Sequence, residues 1–339
     1  MDLRLSSYRY HLPPELVAQT PVEPRDSARL LVLDRQAETF EHHFVRDLPA
    51  LLRPGDLFVA NRSRVLPSRL IGRKTGSGGR VELLLLRPLG DHTWEALVGG
   101  RRVRPGQQVE ITSDVTLEVG EATDAGRAVR FPADSDPVDL LHRFGQAPLP
   151  PYIHDYEGDP ERYQTVYARE EGSAAAPTAG LHFTPDLLAR LSDTGIGWST
   201  VVLHVGLDTF RPMTDEDVDR HRIHSEWIEV TEDVVETIRE TKQGGGRVVA
   251  VGTTTVRTLE HAARDGALRP YRGAADLFIK PGFEFHVVDA LMTNFHMPRS
   301  SLLLLVSAFA GRERILAAYE EAIRLWYRLL SFGDAMLIL

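Results

Sequence analysis

Residues 247–260 have the sequence RVVAVGTTTVRTLE, an apolar strand pattern that leads directly into a helix pattern. The segment Val248–Val251 is short and rich in β-branched side chains, which favours a strand buried inside a sheet. The glycine and threonines that follow it are typical of a turn that opens a helix. A strand that runs straight into a helix predicts an α/β unit.

Neighbouring segments repeat this alternation. The sequence WSTVVLHVG at 198–206 predicts a second apolar strand, and Val234, Val235 and Ile238 predict a helix that ends at the glycines of 244–246. Thr184 followed by Pro185 predicts the start of another helix, and AMLIL at 335–339 predicts a closing strand. Together these segments predict a larger mixed α/β domain.

Three further segments have weaker patterns. Asp159-Pro160 predicts the start of a helix through ERYQTVYARE, and apolar spacing predicts a long helix over 312–330. The apolar run SLLLLVSAFA at 301–310 predicts a strand.

The sequence pattern changes between Leu57 and Phe131, where short apolar segments alternate with glycine and proline turns. The segments are LFVANRSRVL, RVELLLLRP, TWEALVGG, QVEIT, VTLEV and AVRFP. Short strands at regular spacing, without a helical period, predict a small β-barrel. The stiff cluster Ala147–Pro151, APLPP, predicts a domain border.

We therefore predict an α+β protein with two domains. Residues 1–60 and 150–339 form a larger, discontinuous catalytic α/β domain, because the N-terminal sixty residues resemble the second half of the chain in texture. Residues 61–149 form the inserted barrel. Chain termini often lie close together, which makes such insertions tolerable.

Composition excludes several classes of site. The 339 residues include no cysteine, which rules out disulfides, thiolate zinc sites, iron–sulfur clusters and a cysteine nucleophile. No apolar run approaches the ~20 residues needed to span a bilayer, and the N-terminus lacks the apolar segment of a secretory signal. We expect a cytoplasmic protein without a membrane contact.

Positive charge is concentrated in one stretch of an acidic chain. The net charge is −9, yet residues 61–104 contain ten Lys/Arg and three Asp/Glu, so this stretch carries 10 − 3 = +7. A local basic region suits a restricted contact with a polyanion such as RNA. A solvated surface explains the same arginines equally well, and charge alone leaves both interpretations open.

Polar residues that exceed the needs of packing occur first in GSAAAPTAGLHF, residues 172–183. Its small residues and Pro177 predict a rigid, uncrowded backbone that a flat ligand can approach, with Thr178 and His182 as polar contacts. A tight connection between two helices is the alternative.

Three other segments have similar ambiguity. His204, at the end of a predicted strand, suits an acid or base, or a structural hydrogen bond. Thr253, Thr254 and Arg257 at a helix start suit a carboxylate or phosphate, or simple capping. In LMTNFHMPRS, residues 291–300, the alternation of an extended segment predicts that the two polar side chains Asn294 and His296 project together.

A metal site is not predicted. His221 and His224 are three residues apart, but the sequence offers them no third ligand nearby.

These segments, taken in order, resemble one family. GSAAAPTAGLHFT, HVGLDTFRP, HSEW, VGTTTVRTLE, TNFHMPRSSLLLLVSAFAG and LSFGDAMLI are similar to signature segments of the S-adenosylmethionine:tRNA ribosyltransferase-isomerases of queuosine biosynthesis. HLPPELVAQTP, RLLVLDR, NRSRVLPSRL, PLPPYI and RYQTVYA extend the resemblance over Tyr10–Leu339. Arg62, Leu203 and Lys280 depart from the family pattern, which has an acid, a threonine and a tyrosine there.

The resemblance implies an activity. The enzyme transfers the ribosyl part of S-adenosylmethionine to 7-aminomethyl-7-deazaguanine at the tRNA wobble position and isomerises it, giving epoxyqueuosine-tRNA, adenine and methionine. S-adenosylmethionine is then a consumed substrate, and no cofactor is expected. The partners are the modified tRNA and S-adenosylmethionine, and we expect a monomer.

This chemistry requires a base that removes a proton beside the sulfonium and an acid that protonates departing adenine. The candidates, with the assignment among them open, are His182, His204, Glu226 and His296. Thr253, Thr254 and Arg257 are expected to hold the methionyl carboxylate, and Thr178 with Asn294 a base. The remaining candidates are Pro177, Gly180 and Gly206 for substrate and Arg62, Arg64, Arg101, Arg102 and Arg104 for tRNA.

Two other classes compete with this interpretation. A conventional S-adenosylmethionine methyltransferase is expected to carry a glycine-rich loop after its first strand, and the sequence has none; methylated product would favour it. A non-catalytic RNA-binding module needs only the basic barrel, and absence of adenine release would favour it.

Overall fold

The computed structural model describes residues 4–37, 39–154, 156–206, 213, 216–221, 223 and 225–339. The chain divides into two compact units. The larger unit comprises Met1–Arg64, Pro150–Glu170 and Ala176–Leu339, and the smaller unit comprises Val65–Leu149 and Glu171–Ala175. Relative to the expected insertion at 61–149, the smaller unit starts at Val65 and also includes Glu171–Ala175.

The strands of the described residues are, in chain order, β1 (Arg29–Leu33), β2 (Phe40–Phe44), β3 (Leu57–Asn61), β4 (Ser63–Val65), β5 (Arg69–Lys74), β6 (Arg80–Gly90), β7 (Thr93–Gly99), β8 (Gln107–Thr112), β9 (Val115–Ala122), β10 (Arg127–Arg130), β11 (Glu170–Ser173), β12 (Gly197–His204), β13 (Glu226–Val230), β14 (Val248–Val251), β15 (Tyr271–Ala275), β16 (Ala290–Asn294) and β17 (Ala335–Ile338). The α-helices there are α1 (Leu48–Leu51), α2 (Pro137–Phe144), α3 (Pro185–Asp193), α4 (Glu232–Gln243), α5 (Thr253–Ala262), α6 (Ser301–Ala310) and α7 (Arg312–Arg324). Among the described residues, no helix is long and apolar enough to cross a membrane.

The larger unit is built on a nine-stranded mixed sheet with the order β15-β13-β12-β3-β14-β16-β17-β1-β2. Four neighbouring strands, β12, β3, β14 and β16, run parallel to one another. Their carboxyl ends therefore lie at one edge of the sheet. In open α/β sheets this edge is where ligands bind.

Both faces of this sheet are covered. In β3, Leu57 and Val59 belong to one apolar cluster, whereas Phe58 and Ala60 belong to another. This separation follows from the two-residue repeat of a strand. Helices α4, α5, α6 and α7 contribute to the first cluster, and α1 and α3 contribute to the second. The strands consequently have nearly continuous apolar sequences.

The prediction of a strand at 301–310 is wrong, because these residues form α6. The Ser300 side chain accepts a hydrogen bond from the Leu303 N–H at 3.2 Å and caps the helix, and Gly311 ends it with a φ of 88°. Most residues of the helix are buried. A helix that is apolar on nearly all sides has no visible 3.6-residue period, so its sequence resembles a buried strand.

Two predicted helices are shorter in the structure than the sequence indicates. After Asp159-Pro160 the chain forms only the 3₁₀ turn Pro160–Tyr163. The helix does not continue because the backbone is extended at Gln164, with a φ of −121° and a ψ of 147°. Helix α7 ends at Arg324, because the chain turns at Trp326, whose φ is 58°. Residues 325–334 then lead back to the sheet.

The smaller unit contains a closed six-stranded barrel with the order β10-β7-β6-β5-β8-β9. Its core contains alternate residues of the strands, such as Val81, Leu83 and Leu85 of β6, together with Leu140 and Leu141 of α2. The barrel and the mixed sheet confirm the predicted fold class. The segment LFVAN, however, is β3 of the large sheet and not a barrel strand, so the barrel starts later than the sequence predicts.

Candidate functional site

A pocket lies at the carboxyl edge of the large sheet, entirely within the larger unit. The chain reaches it directly after β12, β14 and β16, as the parallel arrangement of these strands requires. The pocket is lined by Tyr152, Ala176, Pro177, Thr178, Ala179, Val205, Gly252, Thr253, Thr254, Thr293, Asn294, Phe295, His296, Met297, Ser300, Leu302, Leu330 and Ser331.

The start of α5 supplies hydrogen-bond donors to this pocket. Gly252, with a φ of 83°, precedes the helix and has no side chain to cap it. The first N–H groups of a helix have no partner inside the helix and attract anions. The Thr254 hydroxyl is buried and has no hydrogen-bond partner among the described residues. Thr253 also lines the pocket and is only 6% exposed.

Asn294, the last residue of β16, joins three segments around the pocket. Its side-chain oxygen lies 2.9 Å from the Thr178 hydroxyl. Its side-chain nitrogen donates to the Leu330 carbonyl at 3.3 Å and lies 3.2 Å from Nε2 of His182. The amide is thus satisfied by the protein itself, which argues against the expectation that Asn294 holds a base directly.

His182 is buried and does not line this pocket. Because Asn294 donates to its Nε2, the proton of the neutral ring is on Nδ1. Burial lowers the pKa of His182 to about 4, and its hydrogen bond to the backbone of Arg25 opposes that change. His182 is therefore neutral at physiological pH.

His296 is held at every polar atom. Its backbone N–H donates to the Tyr319 hydroxyl at 2.9 Å, and its carbonyl accepts from the Tyr10 hydroxyl at 2.5 Å. The ring lies between Tyr319, 3.3 Å from Nδ1, and Thr293, 3.2 Å from Nε2. Burial lowers the pKa of His296 to about 3. These contacts are those of a structural residue in the pocket wall.

His204, the last residue of β12, has a different environment. It is half-buried, stacks on Trp227 with ring centroids 5.3 Å apart, and its buried Nδ1 has no partner among the described residues. Burial lowers its pKa, while Glu170 and Glu229 act in the opposite direction. Val205, the next residue, lines the pocket, whereas His204 itself does not. The rest of this predicted segment, 207–211, lies outside the described residues, as does His224.

Glu226 begins β13 and forms an ion pair with Arg257 of α5. Glu226 also accepts the Gly206 N–H at 2.8 Å, which ties Gly206 to this pair. Arg257 donates through Nε to the Leu277 carbonyl at 3.3 Å, and its Nη2 has no partner among the described residues. The carboxylate is therefore neutralised by a neighbour, and neither residue lines the pocket.

Gly180 has a packing role. A Cβ added there would lie 2.0 Å from the Tyr167 hydroxyl, so a larger residue would require the Tyr167 side chain to move. Gly180 belongs to the 3₁₀ turn Thr178–His182, which starts after Pro177 and presents Thr178 to the pocket. The glycine of the predicted uncrowded backbone thus allows close packing against Tyr167.

The predicted RNA-contacting arginines divide between the units. Arg62 and Arg64 belong to the larger unit, where Arg62 lies 3.6 Å from Glu170 and Arg64 lies 2.5 Å from Glu161. Arg101, Arg102 and Arg104 are exposed on the barrel loop between β7 and β8, with no ion-pair partner among the described residues. Of the other departures from the family pattern, Lys280 pairs with Asp219.

Sequence reasoning missed several residues of the site. Tyr10 and Tyr319 hold His296, and Arg25 holds His182, although the chain separates each pair widely. Leu330, the last residue of the predicted helix, and Ser331 line the pocket from the loop that follows α7. Within the described part of the chain, no group of three or more potential metal ligands occurs.

Comparison with known proteins identifies the family. The model of the family described as "Queuosine biosynthesis protein" matches residues 5–338. The chain belongs to this family. A protein of Symbiobacterium thermophilum named S-adenosylmethionine:tRNA ribosyltransferase-isomerase is 52% identical over 341 residues, which cover 99% of this chain and 100% of that protein. A protein of Heliobacterium modesticaldum with the same name is 52% identical over 344 residues, with 99% and 100% coverage.

One solved structure is similar to this chain over nearly its whole length. The crystal structure of S-adenosylmethionine tRNA ribosyltransferase from Thermotoga maritima aligns with a TM-score of 0.58 and 40% sequence identity, covering 98% of this chain and 100% of that one. The resemblance inferred from the order of the sequence segments is therefore confirmed.

Proposed function

We propose that the chain is an S-adenosylmethionine:tRNA ribosyltransferase-isomerase. It transfers the ribosyl part of S-adenosylmethionine to the aminomethyl nitrogen of 7-aminomethyl-7-deazaguanine in tRNA and isomerises it to an epoxycyclopentanediol. Adenine and methionine leave. The chain belongs to the family, and a relative with this name aligns with it over the relative's full length, which supports the reaction class.

One observation supports a location for the reaction. The pocket at the carboxyl edge of the sheet combines the uncapped start of α5 with the Thr254 hydroxyl, which has no hydrogen-bond partner among the described residues. Such a helix start suits the methionyl carboxylate. Phe295, Met297, Leu302 and Leu330 supply apolar surface for the rest of the substrate.

His204 is the proposed proton acceptor among the four candidates. It has an unpartnered ring nitrogen among the described residues, whereas both ring nitrogens of His182 and His296 are hydrogen-bonded and Glu226 pairs with Arg257. Its lowered pKa keeps it in the neutral form that can remove a proton from the carbon beside the sulfonium. The group that protonates adenine stays unassigned among the others.

The exposed arginines of the barrel are the proposed tRNA contact. Arg101, Arg102 and Arg104 lie in a loop whose backbone carbonyls at 101 and 102 accept hydrogen bonds from Lys74 at 2.6 and 2.9 Å. The backbone of this loop is thereby fixed, while its arginine residues are exposed to solvent. We further propose that the enzyme acts in the cytoplasm as a monomer.

The test is an incubation of the protein with S-adenosylmethionine and tRNA that bears the aminomethyl base. Free adenine and a nucleoside with the mass of epoxyqueuosine are expected. His204→Phe, which preserves a ring against Trp227, is expected to lower turnover by roughly 100- to 10,000-fold, the usual contribution of a general base. Methylated nucleoside without adenine release would contradict the proposal.

A further inference from the structure

The Leu330 carbonyl determines which atoms donate and which accept in the hydrogen bonds around Asn294. The Leu330 carbonyl only accepts, so the Asn294 atom 3.3 Å away is the nitrogen. The other terminal atom of Asn294 is then the oxygen, which lies 2.9 Å from the Thr178 hydroxyl. Because that oxygen only accepts, Thr178 must donate its one hydroxyl proton to it. Thr178 consequently presents its oxygen to the pocket as an acceptor alone.

The residue after Thr178 packs against the start of α5. A Cβ built on Gly252 would lie 3.5 Å from the Cβ of Ala179, the residue after Thr178, and 3.6 Å from the Thr254 hydroxyl. The turn that carries Thr178 is therefore packed against the start of the helix. The Thr178 acceptor and the donors at the start of α5 thus line the same pocket.

We propose that Thr178 accepts a hydrogen bond from the α-ammonium group of the methionine part of S-adenosylmethionine, while the start of α5 holds the α-carboxylate. An amino acid carries its ammonium and its carboxylate on one carbon, so an acceptor and a group of donors in the same pocket suit its two groups. The inference rests on the proposed function, since it assigns an orientation to the same substrate. Asn294 is a positioning residue that fixes the hydroxyl direction of Thr178.

A purine edge fits this wall less well. Adenine offers a donor beside a neutral acceptor, whereas the donors of this pocket belong to a helix start, whose dipole favours a carboxylate over a neutral ring nitrogen. The only amide next to Thr178 in the described network, that of Asn294, already donates to Leu330 and His182. An ammonium has three donors and no acceptor, which matches the Thr178 oxygen. This assignment replaces the expectation that Thr178 and Asn294 hold a base.

The experiment is a binding cycle by isothermal titration calorimetry. Wild type, Thr178→Val and Thr178→Ser are each titrated with S-adenosylmethionine, with its analogue that lacks the α-amino group, and with its decarboxylated analogue. Thr178→Val is expected to weaken S-adenosylmethionine and the decarboxylated analogue by the same factor of about 10 to 100, the usual range for a hydrogen bond to a charged group. It is expected to bind the desamino analogue as wild type does. Thr178→Ser retains the hydroxyl and is expected to behave as wild type.

The desamino analogue also serves as the control for an intact pocket. If Thr178→Val weakens it as much as S-adenosylmethionine, Thr178 does not contact the ammonium and the inference is overturned. Unchanged binding of S-adenosylmethionine by Thr178→Val overturns it as well. If wild type binds none of the three compounds, the proposed function of the pocket fails instead.

Discussion

Arg257 donates through Nη1 to the carboxylate of Glu226, and the two side chains are only 7% and 1% exposed. The pair joins α5 to β13, and through the Gly206 N–H it also fixes the backbone that follows β12. Removing one partner of a buried ion pair destabilises the protein, because the other charge is left unpaired in a medium of low polarity.

We therefore expect Arg257→Met to lower the free energy of unfolding by about 3 to 5 kcal/mol. The double variant Glu226→Gln with Arg257→Met removes both charges and is expected to be more stable than Arg257→Met alone. Urea unfolding of the three proteins measures this. Equal stability of wild type and Arg257→Met would show that Arg257 does not stabilise the buried charge of Glu226.

The two buried histidines predict a decrease of stability in mild acid. Burial lowers the pKa of His182 to about 4 and that of His296 to about 3, whereas the unfolded chain titrates near 6.5. The neutral rings therefore contribute stability above pH 6.5, and this contribution disappears as the pH falls towards the folded-state pKa values. Each histidine is expected to add up to about 1.4 kcal/mol per pH unit to the slope.

Urea unfolding at pH 7, 6 and 5 measures this slope, and His296→Gln serves as the comparison. The variant is expected to be less stable than wild type at pH 7, by about 1 to 3 kcal/mol for the hydrogen bonds that glutamine does not replace, but to have a shallower slope. An identical slope for the two proteins would mean that folding does not lower the pKa of His296.

Two threonines of α5 provide a matched pair. The Thr254 hydroxyl, in a residue that lines the pocket, has no partner in the described part of the chain, whereas the Thr258 hydroxyl donates to the Thr254 carbonyl at 2.9 Å. Thr254→Val is expected to weaken S-adenosylmethionine binding about tenfold, since it removes one hydrogen bond to a charged group, and to leave stability nearly unchanged. Thr258→Val is expected to do the reverse. Calorimetry and urea unfolding distinguish the two, and equal affinity for wild type and Thr254→Val would exclude a ligand contact there.

The barrel arginines predict a change in salt dependence. Replacing Arg101, Arg102 and Arg104 by alanine is expected to weaken tRNA binding and to lower the slope of log affinity against log salt by roughly 0.7 to 0.9 for each phosphate that the variant no longer neutralises. Arg143→Ala, on α2 of the same unit and 3.3 Å from Asp139, is the control. If the slope of the triple variant equals that of wild type, these arginines are a solvated surface.

The sequence predicted the elements that have a local signal. Thr184 and Pro185 start α3, RVVAVG leads into α5, and the closing AMLI segment is β17. It failed where burial removes the period, as in α6, and where a backbone turn such as that at Trp326 interrupts a regular apolar spacing. The family was predictable because many short segments agree in order.

The roles of the polar residues were much less predictable. Asn294 and His296 both line the pocket, but so do their neighbours Phe295 and Met297, and the hydrogen-bond partners of the two polar residues come from distant parts of the chain. Tyr10 and His296 are 286 residues apart in sequence. No local pattern records whether an amide is satisfied by the protein or available to a ligand.

We propose that this chain breaks S-adenosylmethionine at its ribosyl group. One incubation with tRNA bearing the aminomethyl base tests it, using S-adenosylmethionine labelled either in the ribosyl carbons or in the methyl group. The ribosyl label is expected to enter tRNA, one equivalent for each adenine released, and the methyl label is expected to remain in free methionine. Methyl label in tRNA, or adenine release without ribosyl label in tRNA, would contradict it.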